Sequence, residues 1–298
     1  MVKILKDSIN INFIGRVKLF YLFSGLLCII GLVLIFFKGF NYGIDFAGGT
    51  LVQVKFEKKI DINELRKELS NIGFGDVVIQ NFGSEKEILI RIATLKENLK
   101  EITDKLNSLL YKKYGKNNLT IERVEQVGPQ IGAQLKKKAL YAVIFALFGI
   151  LVYISLRFEF IYSLSAVAAL FHDVIITSLF LILTGREMNI TVLAALLTVV
   201  GYSVNDTVVI FDRIRENIKN TKKKEAIGIT INRGINETLS RTILTSGTTL
   251  LSLIALYIWG GAVINDFAFT LIIGILVGTY SSIGVASALV YTYKTKYA

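Results

Sequence analysis

Six long apolar runs constrain this chain more than any other feature. They fall at residues 17–37, 140–156, 160–184, 190–211, 243–259 and 267–291. Each is as long, or nearly as long, as the ~20 residues that cross a bilayer as a helix. One proline in 298 residues lets such helices run unbroken. Charged residues make up 19% and hydrophobic residues 53%, where a soluble domain carries about 25% charged residues. The pattern excludes a soluble enzyme and predicts a membrane all-α six-helix bundle.

Between the first two runs lies one hydrophilic insert, residues 38–137. Residues 50–57 alternate as a strand, with Leu51, Val52, Val54 and Phe56 apolar. Residues 62–72 show helical spacing through Ile62, Leu65, Leu69 and Ile72, with Asp61 or Asn63 near the cap. Residues 77–82 and 88–92 read as two strands around the turn signal Gly83-Ser84-Glu85. A second helix over 95–114 repeats Leu99, Ile102, Leu106, Leu109 and Leu110, and 119–127 closes as a strand. The β-α-β-β-α-β order predicts an inserted α+β domain of ferredoxin-like type. About 90 residues can bury one small core. The insert has no histidine or cysteine and scatters its carboxylates among lysines, so it reads as a binding or mechanical lobe. The domains are then 1–37 (N-terminus and first span), 38–137 (extracytoplasmic lobe) and 138–298 (spans two to six, with a cytoplasmic loop at 212–240).

The formal charge of +11 follows topology. Lys3, Lys6, Arg16 and Lys18 precede the first run, Arg157 separates the second from the third, and Lys294 and Lys296 follow the sixth. The loop after the fourth run holds Arg213, Arg215, Lys219, Lys222, Lys223, Lys224 and Arg233, whereas the short loops on the other side hold only Arg186. The positive-inside rule places both termini in the cytoplasm. The basic run from Lys219 reads either as a helix near anionic lipid headgroups or as a solvated loop. No aromatic–basic stretch points to nucleic acid. Cys28 is the only cysteine, so no intrachain disulfide or cysteine zinc site can form. The first run lacks a small-x-small cleavage site and reads as an uncleaved span. Phosphate-loop, Gly-x-Ser-x-Gly and His-Glu-x-x-His patterns are missing, and His172 stands alone. No metal, cofactor or enzymatic activity is expected.

What remains is charge inside lipid, which costs roughly 2.5–3.5 kcal/mol at the bilayer centre and marks a pathway or a pair. Asp173 lies in the third run, Asp206 in the fourth, and Arg241 at the start of the fifth. Asp206 precedes the inner end of its run by about five residues, ~7 Å at 1.5 Å per residue. Arg241 sits at comparable depth, so the two are expected to meet. Thr198, Tyr202 and Asp206 recur at helical spacing with Ser203 and Asn205 beside them, and Arg241, Thr245, Thr248 and Ser252 form a second polar strip. Such hydroxyls either bridge protons between carboxylates or hold helices together, and the pattern alone supports both. Asp173 is open between a proton station and local packing with His172. Gly274, Gly278 and Ser281, nearly on one face of the sixth run, read as helix packing.

The motifs carry a family resemblance. Gly43-Ile-Asp-Phe-Ala-Gly-Gly-Thr50 resembles the signature of the SecD/SecF protein-export membrane proteins. The stretch from Val199 through Asp206 to Asn217 resembles the fourth-span motif of the SecF branch. Asn236–Ser246 resembles its fifth-span motif, Gly278–Ile283 its sixth and Phe171-His-Asp173 its third. The resemblance implies half of a resistance-nodulation-division unit in the bacterial cytoplasmic membrane. It implies pairing with SecD and association with the SecYEG channel. Protons would then drive late translocation of an unfolded protein substrate. It carries the proton-path aspartate onto Asp206 and the essential arginine onto Arg241. The motif of Gly43, Asp45, Gly48 and Gly49 is open to a binding role, but its glycines are read as a tight exit from the first span, with no ligand assigned. The rival functions are a half-transporter exporting lipids or small amphiphiles, and a passive scaffold.

Overall fold

Alternating and helical spacings in the insert build a four-stranded sheet with two helices. The computed structural model describes residues 10–74, 77–82, 84–93, 99–220 and 225–297. It divides into two compact units: Tyr42–Tyr141 with Glu187–Ile190, and Met1–Asn41 with Ala142–Arg186 and Thr191–Ala298.

In the first of these units the order is strand Gly49–Phe56, helix Ile62–Leu69, strands Val77–Phe82 and Ser84–Ile92, helix Leu99–Tyr114 and strand Leu119–Val127. Across the sheet the strands lie as Val77–Phe82, Ser84–Ile92, Gly49–Phe56, Leu119–Val127, each pair antiparallel. Val52 is the centre of the register, opposite Ile90 on one side and Val124 on the other. The side chain of Asp61 accepts the amides of Asn63 and Glu64, which starts the first helix. Its Leu65 and Leu69 then meet Val52, Val54, Ile88, Ile90, Ile102 and Leu106 in one core. A smaller cluster of Ile44, Leu51 and Leu89 forms apart from it.

Two boundaries in the lobe differ from the sequence reading by three residues or more. The third strand begins at Ser84 rather than Ile88, because ladder pairing continues through polar residues: Lys55 faces Glu87 across the strands at 3.3 Å. The first helix stops at Leu69 and passes into a wider turn over Ser70–Phe74. Gly83, Leu95 and Lys222 to Lys224 lie outside the described residues.

Among the described residues six helices are long and apolar enough to cross a membrane: Ile14–Phe37, Pro129–Arg157, Phe160–Leu183, Ile190–Asn220, Ile227–Trp259 and Ile264–Lys296. Several outrun their apolar stretches, since hydropathy marks where lipid would be and not where helix hydrogen bonding stops. Residues 212–240, expected as a loop, are largely the continuation of the fourth helix to Asn220 and the start of the fifth at Ile227. The second helix begins at Pro129, a first-turn position where the missing N–H costs nothing. Spans three, four and six are half or more buried, whereas one, two and five are mostly exposed. Span six is interrupted by a π-helical stretch, Ser282–Ala286.

Candidate functional site

Span four turns Ala195, Val199, Ser203, Asp206, Thr207 and Ile210 inward. Glycines on span six let it come close. A Cβ on Gly274 would lie 2.1 Å from Val199 Cγ2, and one on Gly278 would lie 3.0 Å from Ser203 Cβ. The face that sequence spacing marked for helix packing is filled by this chain's own fourth span.

Two carboxylates occupy this interior. Asp173 on span three has no exposed surface. Its Oδ2 accepts from Ser203 Oγ at 2.6 Å and from Ser281 Oγ at 2.9 Å, and its Oδ1 lies 2.9 Å from His172 Nδ1. One carboxylate therefore ties spans three, four and six. Asp206 is 3% exposed and has one hydroxyl donor, Ser246 of span five, at 3.2 Å. Ser246 in turn lies 2.8 Å from Thr279 Oγ1 of span six. Thr207 and Ser282 hydroxyls meet at 2.8 Å. The π-helical stretch begins at Ser282, directly after the Asp173 ligand Ser281, and such stretches recur at functional sites. His172 Nε2 and Thr177 Oγ1 are buried without a hydrogen-bond partner among the described residues.

The expected Asp206–Arg241 ion pair is not formed. Arg241 is exposed, and the polar partner of the Asp206 carboxylate is Ser246 instead. The strip Thr198, Asn205, Thr245 and Thr248 also differs from expectation. Thr198, Asn205 and Thr248 are exposed and Thr245 is half-buried. The threonine hydroxyls bond carbonyls of their own helices: Thr198 to Ala194, Thr245 to Arg241 and Thr248 to Leu244. Helical spacing groups residues on one face, but the apolar residues Ala195, Val199 and Leu253 decide which face turns inward. Tyr202 is intermediate; its hydroxyl donates to Thr249 at 3.2 Å. Ser246, Thr279, Thr207 and Ser282 were not singled out from the sequence, although Ser246 continues the buried series Thr238, Thr242, Ser246.

The glycine-rich segment after span one forms a short helical turn, Ile44–Ala47. Gly48 and Gly49 take φ of +76° and +128°, and a Cβ on Gly49 would lie 2.7 Å from the Ile92 carbonyl oxygen. Both needs favour glycine. Among the described residues no cluster of three or more histidine, cysteine or acidic side chains is placed to hold a metal.

A buried carboxylate–hydroxyl network lies inside a six-span helical unit, and one α+β insert follows the first span, the plan of a polytopic membrane protein. Residues 107–296 match the family described as protein export membrane protein SecD/SecF, C-terminal, and residues 33–60 match the SecD/SecF GG motif. The protein translocase subunit SecF of Calditerrivibrio nitroreducens is 52% identical, over 99% of this chain and 97% of its own length. That of Desulfurispirillum indicum is 47% identical, over 92% and 88%. The crystal structure of SecDF, a translocon-associated membrane protein from Thermus thermophilus, superposes with a TM-score of 0.89 at 39% identity. It covers 97% of this chain, which in turn spans only 39% of the SecDF chain. This chain belongs to the SecF family and is a multi-pass membrane protein.

Proposed function

We propose that this chain is an auxiliary, non-enzymatic subunit of the Sec protein translocase. Paired with a SecD-like half, it couples the proton motive force to late steps of polypeptide passage through a SecYEG-type channel. The observation that carries the reading is Asp206: a buried carboxylate with one hydroxyl donor, inside a span, in a chain without metal clusters among its described residues. A membrane potential acts on a charge with about 2.3 kcal/mol per 100 mV, enough for a few protons to move a lobe between positions. Asp206 is the exchanging station and Arg241 its counter-charge. Asp173, fully hydrogen-bonded, is the anchored carboxylate of the same path. The need for a SecD partner is supported by the solved SecDF chains, of which this chain spans about two fifths. We read the lobe as the ferredoxin-like split unit, supported by its strand order.

The test is completion of a stalled late translocation intermediate in vesicles under an imposed proton gradient. Vesicles with the chain and its partners are expected to complete export faster, and an ionophore is expected to remove the increment. An increment that persists without the chain would overturn the proposal.

The proposed membrane is the bacterial cytoplasmic one, with both termini inside. Lys/Arg asymmetry motivates this topology. In a Cys28→Ala background, Thr295→Cys is expected to react with an impermeant maleimide only from the cytoplasmic side, and Lys116→Cys only from the outer side. Reaction of Thr295→Cys from outside would reverse the assignment.

A further inference from the structure

Within the segment Gly43–Thr50 the glycines serve the backbone, and Asp45 has a partner of its own. Its carboxylate does not face solvent idly. Asp45 Oδ2 accepts the backbone amide of Ile190 at 2.9 Å, and Ile190 is the first residue of the helix Ile190–Asn220. The first amides of a helix have no partner within it and carry the positive end of its dipole, so a carboxylate there both completes a hydrogen bond and meets a favourable field.

The contact is one of a set. Gly43 donates its amide to the Met188 carbonyl at 2.9 Å. A Cβ on Gly43 would lie 3.3 Å from Asn189 Cβ and from Glu187 Oε2, so the approach leaves little room for a side chain. Glu187 accepts from Gln80 Nε2 at 2.9 Å and lies 3.4 Å from Arg91 Nη1, with both charged side chains largely buried. Arg91 also donates to the Tyr42 carbonyl. Residues 187–190, which join spans three and four in the chain, thus belong to the same compact unit as the lobe.

We infer that Asp45 is a positioning residue that fastens the outer lobe to the start of the span carrying Asp206. The inference rests on the proposed proton-coupled function and deepens it. Ile190 and Asp206 are separated by about 24 Å of continuous helix, at 1.5 Å per residue. A helix transmits displacement along its axis, so a shift of span four on proton exchange at Asp206 reaches the lobe through the Asp45 bond as well as through the chain. Without that bond the proton step continues and the lobe follows it less faithfully.

The experiment uses membrane vesicles carrying the chain with its partner subunits, comparing wild type with Asp45→Ala, Asp45→Asn and Asp45→Ser. Three quantities are read: proton flux, gradient-stimulated export, and hydrogen exchange in a peptide that holds the Ile190 amide in its interior. Asp45→Ala is expected to keep its proton flux and lose most of the gradient-stimulated export. Exchange at the Ile190 amide is expected to rise about fivefold, as for a lost helix cap. Asparagine keeps an oxygen at the same reach and is expected to restore export, whereas serine, one atom shorter, is expected to behave as alanine does. Full stimulation in Asp45→Ala overturns the inference. Parallel loss of flux and export also overturns it, because the residue would then serve the fold and not the coupling. If wild type itself shows no gradient-stimulated export, the functional proposal fails instead, and the two failures are distinguishable.

Discussion

Asp206→Asn is expected to bring gradient-stimulated export down to the level seen with the gradient collapsed, while membrane insertion and partner binding persist. The substitution keeps the size of the side chain and an oxygen that can accept from Ser246, so the contact between spans four and five survives. What it removes is the proton site. An ionised carboxylate buried with a single hydroxyl donor is costly in a low-dielectric interior, and a neutral one is not. That contrast lets a proton arriving or leaving change the balance between two helix arrangements. Arg241 is exposed, and in the proposed coupling it serves as a counter-charge without bonding Asp206. Arg241→Met is therefore expected to lose stimulation as well, and Arg241→Lys to retain part of it. The assay is late-stage translocation in vesicles, with an ionophore control for each variant. Normal stimulation by both Asp206→Asn and Arg241→Met would refute the coupling role and leave a scaffold.

Legibility in the sequence followed the strength of the local signal. The lobe's strands and helices were readable because Val52, Val54, Ile88 and Ile90 alternate, and Leu65, Leu69, Ile102 and Leu106 repeat at helical spacing around one core. The spans were readable as apolar runs, but their ends were not. The fourth helix continues beyond Phe211 through Arg213, Arg215 and Lys219, where helix hydrogen bonds persist and lipid contact is no longer required. The site was half legible. Buried charges announce themselves inside apolar runs, so Asp173 and Asp206 were found. Partner choice was not, because it depends on rotation between neighbouring helices. Asp206 meets Ser246 instead of Arg241, and the hydroxyls of Thr198 and Thr248 turn back onto their own backbones. Asp45 was hidden for a different reason. Its partner is a backbone amide, which every residue type but proline supplies.

The second carboxylate is expected to respond to truncation in the opposite manner, through stability. Asp173 receives two serine hydroxyls on one oxygen and faces His172 with the other, all of them buried. Those donors come from spans four and six and from its own span. Asp173→Ala removes the acceptor of three buried polar groups and leaves Ser203 Oγ and His172 Nδ1 without a partner, each worth about 1–3 kcal/mol when unsatisfied. Ser281 retains a bond to the Gly278 carbonyl, so its share falls at the lower end. Asp206→Ala strands less, because Ser246 still has Thr279. Thermal unfolding in detergent is thus expected to show a large downward shift for Asp173→Ala and a small one for Asp206→Ala, with export lost in both. Asp173→Asn preserves one acceptor and the side chain's volume, so it is expected to melt between wild type and Asp173→Ala and to keep part of its stimulated export. A melting temperature for Asp173→Ala equal to wild type would remove the anchoring role. Complete loss of stimulation in Asp173→Asn at wild-type stability would instead make Asp173 a second exchanging station beside Asp206.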